Sequence, residues 1–288
     1  MARMLIAVLR PGDEAALEAF LAPHAESSMF LRGNVASSGL VDHGEVLQGT
    51  YVAAREGDSV VAVVGQAWNG MLMLQAPVCL SELVTAVLKE TGRALTGLTG
   101  PWQQVEAARD ALGIRDLPMR VVSKERLMAL ALADMMIPQP PAAGQVTVRA
   151  AVPADEDAMI DMRLAYMIET LGDEDSLKVR GGAAEGVQRA IERGLLYVAE
   201  VDGEPVATTA FNAVLPDIVQ IGGVYTPPPL RNRGYARAAV AGSLLAVREG
   251  GVQRAILFTA DSGHAWRAYA GIGFRTIGDF GMVLLAVH

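Results

Sequence analysis

The sequence predicts a two-domain α/β (α+β) protein in which short strands alternate with helices. Three observations lead there. The chain has 288 residues, 51% of them hydrophobic, which exceeds the usual size of one domain and supplies apolar side chains for two cores. A proline-rich stretch, Ile137-Pro138-Gln139-Pro140-Pro141-Ala142-Ala143-Gly144, interrupts the chain near its middle, and prolines at this density suppress both helix and sheet. The order of elements before that stretch begins again after it. Domains are therefore expected at 1–136 and 146–288, with a linker at 137–145.

In the first half, the apolar run Met4 to Leu9 reads as a strand. Arg10-Pro11-Gly12-Asp13 turns the chain into a helix over Glu14 to Leu21, with Asp13 as its expected N-cap. Phe30 to Gly49 reads as a glycine- and serine-rich connection. Thr50 to Ala54 and Val60 to Gln66 form the arms of a hairpin that turns at Glu56-Gly57-Asp58. A strand over Met71 to Gln75 ends at Pro77, and a helix follows from Ser81 to Glu90, closed by Gly92. Arg93 to Leu98 then reads as strand, Gln103 to Leu112 as helix, and Arg120 to Ala131 as strand or mixed structure.

After the linker, Val146 to Ala150 is a strand and Asp155 stands near the start of a helix that runs to Thr170. Leu195 to Glu200 joins Pro205 to Asn212 through an Asp202-Gly203 turn. Tyr197-Val198-Ala199 falls 146 residues after Tyr51-Val52-Ala53, and a turn and an apolar strand follow both. Pro11-Gly12-Asp13-Glu14 and Pro153-Ala154-Asp155-Glu156 likewise stand between a strand and a helix. The pattern is that of an internal repeat, against the alternative of chance similarity between two α/β halves.

The densest chemistry lies in Ile221 to Arg248. It reads as a strand ending at Tyr225, a proline-bounded turn, the loop Arg231-Asn232-Arg233-Gly234-Tyr235-Ala236, and a helix that stops at Gly250 and Gly251. This order gathers the free N–H groups of a helix's first turn in one place, where with the helix dipole they attract an anion. The chain carries 32 acidic against 24 basic residues, yet Ile218 to Arg248 holds Arg231, Arg233, Arg237 and Arg248 and no acid. Phosphate is the expected guest, with arginines adding charge-assisted bonds. The bland alternative is a helix with a solvated basic end.

The loop 231–236 resembles the Q/R-x-x-G-x-G/A pyrophosphate loop of the GNAT (GCN5-related N-acetyltransferase) superfamily. Val224-Tyr225-Thr226-Pro227-Pro228 is similar to that family's fourth strand and its exit, and Ala265 to Phe274 to its second signature. The resemblance covers 146–288 and implies a tandem pair of GNAT-like domains, each a mixed, mostly antiparallel sheet flanked by helices. It implies acetyl-coenzyme A as cosubstrate, no metal, and transfer of an acyl group to a primary amine of a small molecule or peptide by direct attack. Arg231, Asn232, Arg233, Gly234, Tyr235 and Ala236 would hold the pyrophosphate, and Val224, Tyr225 and Thr226 the pantetheine arm. Ser262, standing where the family commonly has asparagine, would touch the coenzyme.

Tyr269 matches the family's tyrosine that protonates the leaving thiolate; the alternative is a tyrosine buried in the core. Several family members carry a glutamate base fourteen residues before the loop glycine, and here that position is Gln220, which cannot take a proton. The base is then Glu169 or Asp217 acting through water, or the amine loses its proton directly to solvent. Gln220 also keeps open a different class of function, a non-catalytic coenzyme A binding module that docks a partner. In the first half Ala76 to Leu83 stands where the second has Pro229 to Ala236, with no glycine, no arginine and Glu82 near the helix start. This half reads as a degenerate copy that covers and shapes the acceptor side.

The four acids Glu169, Asp173, Glu174 and Asp175 suggest a cationic amine acceptor, or simply a solvated acidic surface. A net charge of −8 argues against nucleic acid as a partner. No stretch approaches the ~20 apolar residues of a membrane span, so a cytoplasmic enzyme that does not bind membranes is expected. Cys79 is the lone cysteine, and His24, His43, His264 and His288 lack metal-ligand spacing. Asp261, Ser262 and His264 lack the G-x-S-x-G elbow of a hydrolase and read better as a helix start. A homodimer is left open.

Overall fold

The computed structural model describes residues 4–138, 145–261 and 265–286. In chain order the elements are β1 (Leu5–Val8), α1 (Glu14–Leu21), α2 (Met29–Ser38), β2 (Gly49–Glu56), β3 (Ser59–Ala67), β4 (Met71–Gln75), α3 (Leu80–Thr91), β5 (Gly97–Pro101), α4 (Trp102–Ala111) and β6 (Met119–Ala131). After 139–144, which lie outside the described residues, come β7 (Thr147–Ala150), α5 (Glu156–Leu171), α6 (Leu177–Glu192), β8 (Leu196–Val201), β9 (Glu204–Val214) and β10 (Ile218–Tyr225). The chain then continues through α7 (Tyr235–Glu249), β11 (Arg254–Ala260), α8 (Ala265–Ala270) and β12 (Arg275–Leu285).

Two compact units result, one of Met1–Leu127 with Gly278–His288 and one of Met128–Ile277. The expected split at 137–145 therefore differs from the observed division in two ways. The end of β6 counts with the second unit, and most of β12 returns to the first, where it runs antiparallel to β5 through Gly281↔Gly100 and Val283↔Leu98.

In the first unit β1, β2, β3 and β4 pair antiparallel in sequence order, and β4 pairs parallel with β5. In the second, β7, β8, β9 and β10 repeat the antiparallel order, and β10 pairs parallel with β11. The strand pairing within each unit is mixed and mostly antiparallel. A helix joins the parallel pair in each, α3 in the first and α7 in the second. Tyr51-Val52-Ala53 lies on β2 and Tyr197-Val198-Ala199 on β8, the second strand of each unit. The turn between β8 and β9 has Asp202 at φ 52° and Gly203 at φ 84°, two left-handed residues whose twist suits a two-residue hairpin.

Some elements differ from expectation. The segment read as a connection from Phe30 contains α2, whose buried residues include Arg32 and Asn34. Arg32 pairs with Glu18 at 2.6 Å, so polar groups on the buried side hide the helical period. Helix α6 had no sequence signal strong enough to assign it: Gly181, Gly182 and Gly186 lower its propensity, while the Ser176 hydroxyl accepts from Val179 N at 3.3 Å and caps its start. Strand β5 begins at Gly97 instead of Arg93. Asp13 occupies the N-cap position of α1 without capping it, because its carboxylate accepts from Arg10 N at 2.9 Å and pairs with Arg55 at 2.7 Å. Among the described residues no helix is long and apolar enough to cross a membrane, and no group of three or more His, Cys, Asp or Glu stands where it could hold a metal ion.

Helix α7 sets the geometry of the second unit. Val240 and Leu244 join Val219 and Ile221 of β10 and Leu257 of β11 in one buried cluster, while Tyr235 and Ala239 pack with Ala199 and Ala207. Gly242 brings the helix onto β7: a Cβ there would stand 2.4 Å from that of Val148. Gly242→Ala should therefore destabilise the fold, because overpacking costs about 1–3 kcal/mol against a gain of about 1 kcal/mol from alanine's helix preference. Thermal unfolding in a double-mutant cycle checks this: the same substitution in a Val148→Ala background should cost less, and equal cost in both backgrounds would contradict the contact.

Candidate functional site

Inside the second unit the central parallel pair comes apart. β10 keeps register with β11 only from Ile218↔Arg254 to Ile221↔Leu257, and its register with β9 shifts between Gly222 and Tyr225. Gly223 takes φ 58° within that shift. The backbone of 222–225 thus leaves the β11 ladder and is available to something other than a strand. Beyond Tyr225 a short 3₁₀ turn, Pro228–Leu230, leads to two left-handed residues, Asn232 at φ 61° and Gly234 at φ 86°. Glycine adopts that conformation without steric cost, and asparagine at little. Helix α7 then begins at Tyr235 with no side-chain cap and no acid in its first turn.

These pieces border a cavity of about 490 Å³. Val224, Tyr225 and Thr226 line it, as do Arg231, Asn232, Gly234, Tyr235 and Ala236 of the loop, and Tyr269 of α8. Two buried polar atoms of lining residues, Thr226 Oγ1 and Arg237 Nε, have no hydrogen-bond partner among the described residues. Uncapped helix N–H groups, a cationic side chain and two unsatisfied donors suit an anion such as a pyrophosphate. Tyr235 serves mainly as an anchor, 3% exposed in the cluster beneath the helix.

The arginines take different parts. Arg231 is already engaged: its guanidinium meets Glu169 through two 2.7 Å contacts, donates from Nε to the Thr226 carbonyl at 2.9 Å, and lies 5.6 Å from the Tyr225 ring centroid. Arg233 does not line the cavity, and its Nη2 reaches the Pro229 carbonyl at 3.3 Å. Arg237, counted in the sequence only as part of the basic patch, is the arginine that lines the cavity with an unpartnered Nε. Its signal was its position, third in the helix that follows Gly234.

Tyr269 is buried, packed edge-to-face against Phe274 within the core cluster, and it also borders the cavity. Burial pushes its phenol above the usual tyrosine range, and the neighbouring Tyr166 phenol adds to the shift. A phenol held in its protonated form has a proton it can donate. The carboxylates are less well suited to take a proton. The bond from Arg231 holds the Glu169 carboxyl below its ordinary range, and the Tyr225 hydroxyl donates to it at 3.3 Å. Asp217 pairs with Arg254 at 2.6 Å and its carbonyl accepts from Gln253 and Arg254, the behaviour of a turn residue. Gln220 is 1% exposed within β10, and its Oε1 has no partner among the described residues. Ser262 and His264 lie outside the described residues, as does any cap they supply to α8.

A smaller cavity, of about 130 Å³, lies against β9 and β10, with Met159, Arg163, Thr208, Asn212 and Gly223 in its wall. Gly223 borders this cavity and Val224, the next residue, borders the large one.

Residues 160–274 match the model of the Acetyltransferase (GNAT) family. This segment contains the residues named above that border the large cavity. Among solved structures, a GCN5-related N-acetyltransferase from Kribbella flavida is 19% identical over 93% of this chain and 96% of its own, with a TM-score of 0.58. A GCN5-related N-acetyltransferase from Sphaerobacter thermophilus is 18% identical, with 98% and 95% covered and a TM-score of 0.58. A tandem GNAT protein from the clavulanic acid biosynthesis pathway is 14% identical, with 99% and 98% covered and a TM-score of 0.58. These likenesses are of fold. No curated protein matches the sequence.

The different engagement of the arginines has a measurable consequence. In a titration with inorganic pyrophosphate, Arg237→Gln should weaken binding by about tenfold or more, the loss of one charge-assisted bond, whereas Arg233→Gln should change it by less than about twofold. The reverse ranking would contradict the arrangement.

Proposed function

We propose that the second unit is an acetyl-coenzyme A dependent N-acetyltransferase, and that the first is a degenerate copy without a coenzyme site. The observation that carries the reading is the convergence on one cavity of the uncapped start of α7, the released backbone of β10 and the buried phenol of Tyr269. Pyrophosphate would sit on the N–H groups of Gly234 to Ala236, with Arg237 and Thr226 donating to it. The strand edge at 222–225 would hold the extended pantetheine arm by backbone bonds, as an added strand is held.

The amine nitrogen forms a bond to the thioester carbonyl carbon, and the carbonyl oxygen gains negative charge. A backbone N–H at Val224 or Tyr225 would stabilise that oxyanion, because it is already oriented and no longer committed to β11. As the C–S bond breaks, Tyr269 gives its proton to the sulfur, and the nitrogen loses its proton to water. No carboxylate lines either cavity, and Glu169 is tied to Arg231, which favours solvent over a dedicated base.

In the first unit the turn before α3 has Cys79 in the left-handed conformation, at φ 54°, where the second has Gly234. Glu82 stands in the first turn of α3, so its charge opposes an anion there.

Tyr269→Phe separates transfer from mere binding. Turnover, followed by thiol release, should fall by about 10²-fold or more, the usual contribution of a positioned proton donor, while the affinity for acetyl-coenzyme A stays within about twofold. With its pKa raised, Tyr269 is protonated below its ordinary pKa and for some distance above it, so no loss of activity between pH 7 and 10 should trace to its ionisation. Full turnover in the variant would leave Tyr269 as a packing residue only.

A further inference from the structure

The small cavity beside β10 points to the chemistry of the acceptor, an inference that rests on the transferase reading. Arg163 is the one charged residue among those lining it. Its Nη1 comes within 3.3 Å of where a Cβ on Gly223 would stand, so the guanidinium lies against the backbone at the parting of β10 from β11. It stacks on the Tyr166 ring, 5.4 Å from the centroid, and makes no ion pair among the described residues. A half-buried guanidinium, held in place by an aromatic face and without a carboxylate partner among the described residues, suits an anion brought by a ligand.

The rest of the wall fits that assignment. The Asn212 side chain lies over Gly222, where a Cβ would come within 2.1 Å of Nδ2, which puts a neutral amide beside the same strand. Thr208 spends its hydroxyl proton on the Tyr197 carbonyl at 3.1 Å. No acid lines the cavity. Two of the four acids that suggested a cationic acceptor are paired elsewhere, Glu169 with Arg231 and Asp175 with Arg180, the latter at 2.6 Å. Because Gly223 and Val224 border different cavities, an anion on Arg163 would leave an amine a few atoms away close to the strand edge proposed for the thioester.

We propose that the acceptor is an amine that also carries a carboxylate, an amino acid or a compound like one, and that Arg163 determines this specificity by binding the carboxylate. The cavity of about 130 Å³ admits a small polar head of that kind.

Binding and turnover test different parts of the proposal. Calorimetric titration with N-acetylglycine and with its neutral carboxamide reads the carboxylate subsite without requiring catalysis. The wild type should bind the carboxylate about 10- to 100-fold more tightly, the range for one charge-assisted contact. Arg163→Gln should abolish the preference and Arg163→Lys should keep part of it, with acetyl-coenzyme A binding and thermal unfolding of both variants close to wild type. Equal affinities for the two probes in the wild type, or a preference unchanged in Arg163→Gln, would overturn the proposal. Thiol release with glycine against glycinamide then separates it from the reading beneath it. A carboxylate preference in kcat/KM that Arg163→Gln removes through KM supports both. Arg163-dependent binding of the carboxylate with no thiol release from any amine supports the subsite and overturns the transfer.

Discussion

The second unit depends on one constraint, the left-handed turn at Gly234 that lets α7 begin without a cap directly beyond the point where β10 leaves β11. A helix start has N–H groups that require partners, and proteins usually supply them from a serine, threonine or aspartate. Here no side chain does so and no acid offsets the dipole, which leaves those groups open to water or to the anion proposed for the cavity. The first unit repeats the same succession of strands and helix without that opportunity. Its α3 starts from Cys79, carries Glu82 in the first turn, and joins a strand pair that stays close: a Cβ on Gly100 of β5 would stand 2.7 Å from the Leu74 carbonyl oxygen. A handful of residues thus gives the same succession of elements two different helix starts.

Charge is distributed around the cavity by engagement as much as by number. Arg231, the first residue of the loop, acts as a strap that ties it to α5 through Glu169 and to the strand exit through the Thr226 carbonyl. Both members of that ion pair are partly exposed, so its use is to hold position more than to add stability. Because Arg231 also depresses the Glu169 pKa, the pair is fully formed above the ordinary glutamate range and is lost as pH falls through the depressed value. The loop is therefore fastened throughout the neutral range. Among the described residues Arg237 and Arg163 make no ion pair, and each lines one of the two cavities, at the two ends of the proposed reaction.

Much of this was legible in the sequence, and what was missed has physical causes. Helix α1, the hairpin of β2 and β3, strand β4 and helix α7 were readable because apolar periodicity and glycine punctuation agreed there. The loop at 231–236 was readable because a strand, prolines, a glycine and a helix occurred together without acids. Helix α2 was hidden by Arg32, a buried charge whose partner Glu18 lies on another helix, and pairing of that kind leaves no local trace. The exchange of chain ends between the units was hidden for a related reason: which strand β12 joins is decided by long-range register, and the proline stretch only marks where the chain turns polar and stiff. Glu169 was considered as a base because composition shows an acid near the site and cannot show the guanidinium that holds it. Arg163 went unremarked because a single arginine on an amphipathic helix looks solvated until Gly223 is brought beneath it.

A crystal structure of the full chain with coenzyme A tests the central claim most directly. Pyrophosphate oxygens should lie about 3 Å from the N–H groups of Gly234 to Ala236, the ordinary hydrogen-bond distance, with Arg237 turned toward them and the pantetheine arm along residues 222–225. Coenzyme bound instead at the start of α3, or a pyrophosphate held by Arg233 on the outer surface with the cavity below Tyr225 left to water, would contradict it.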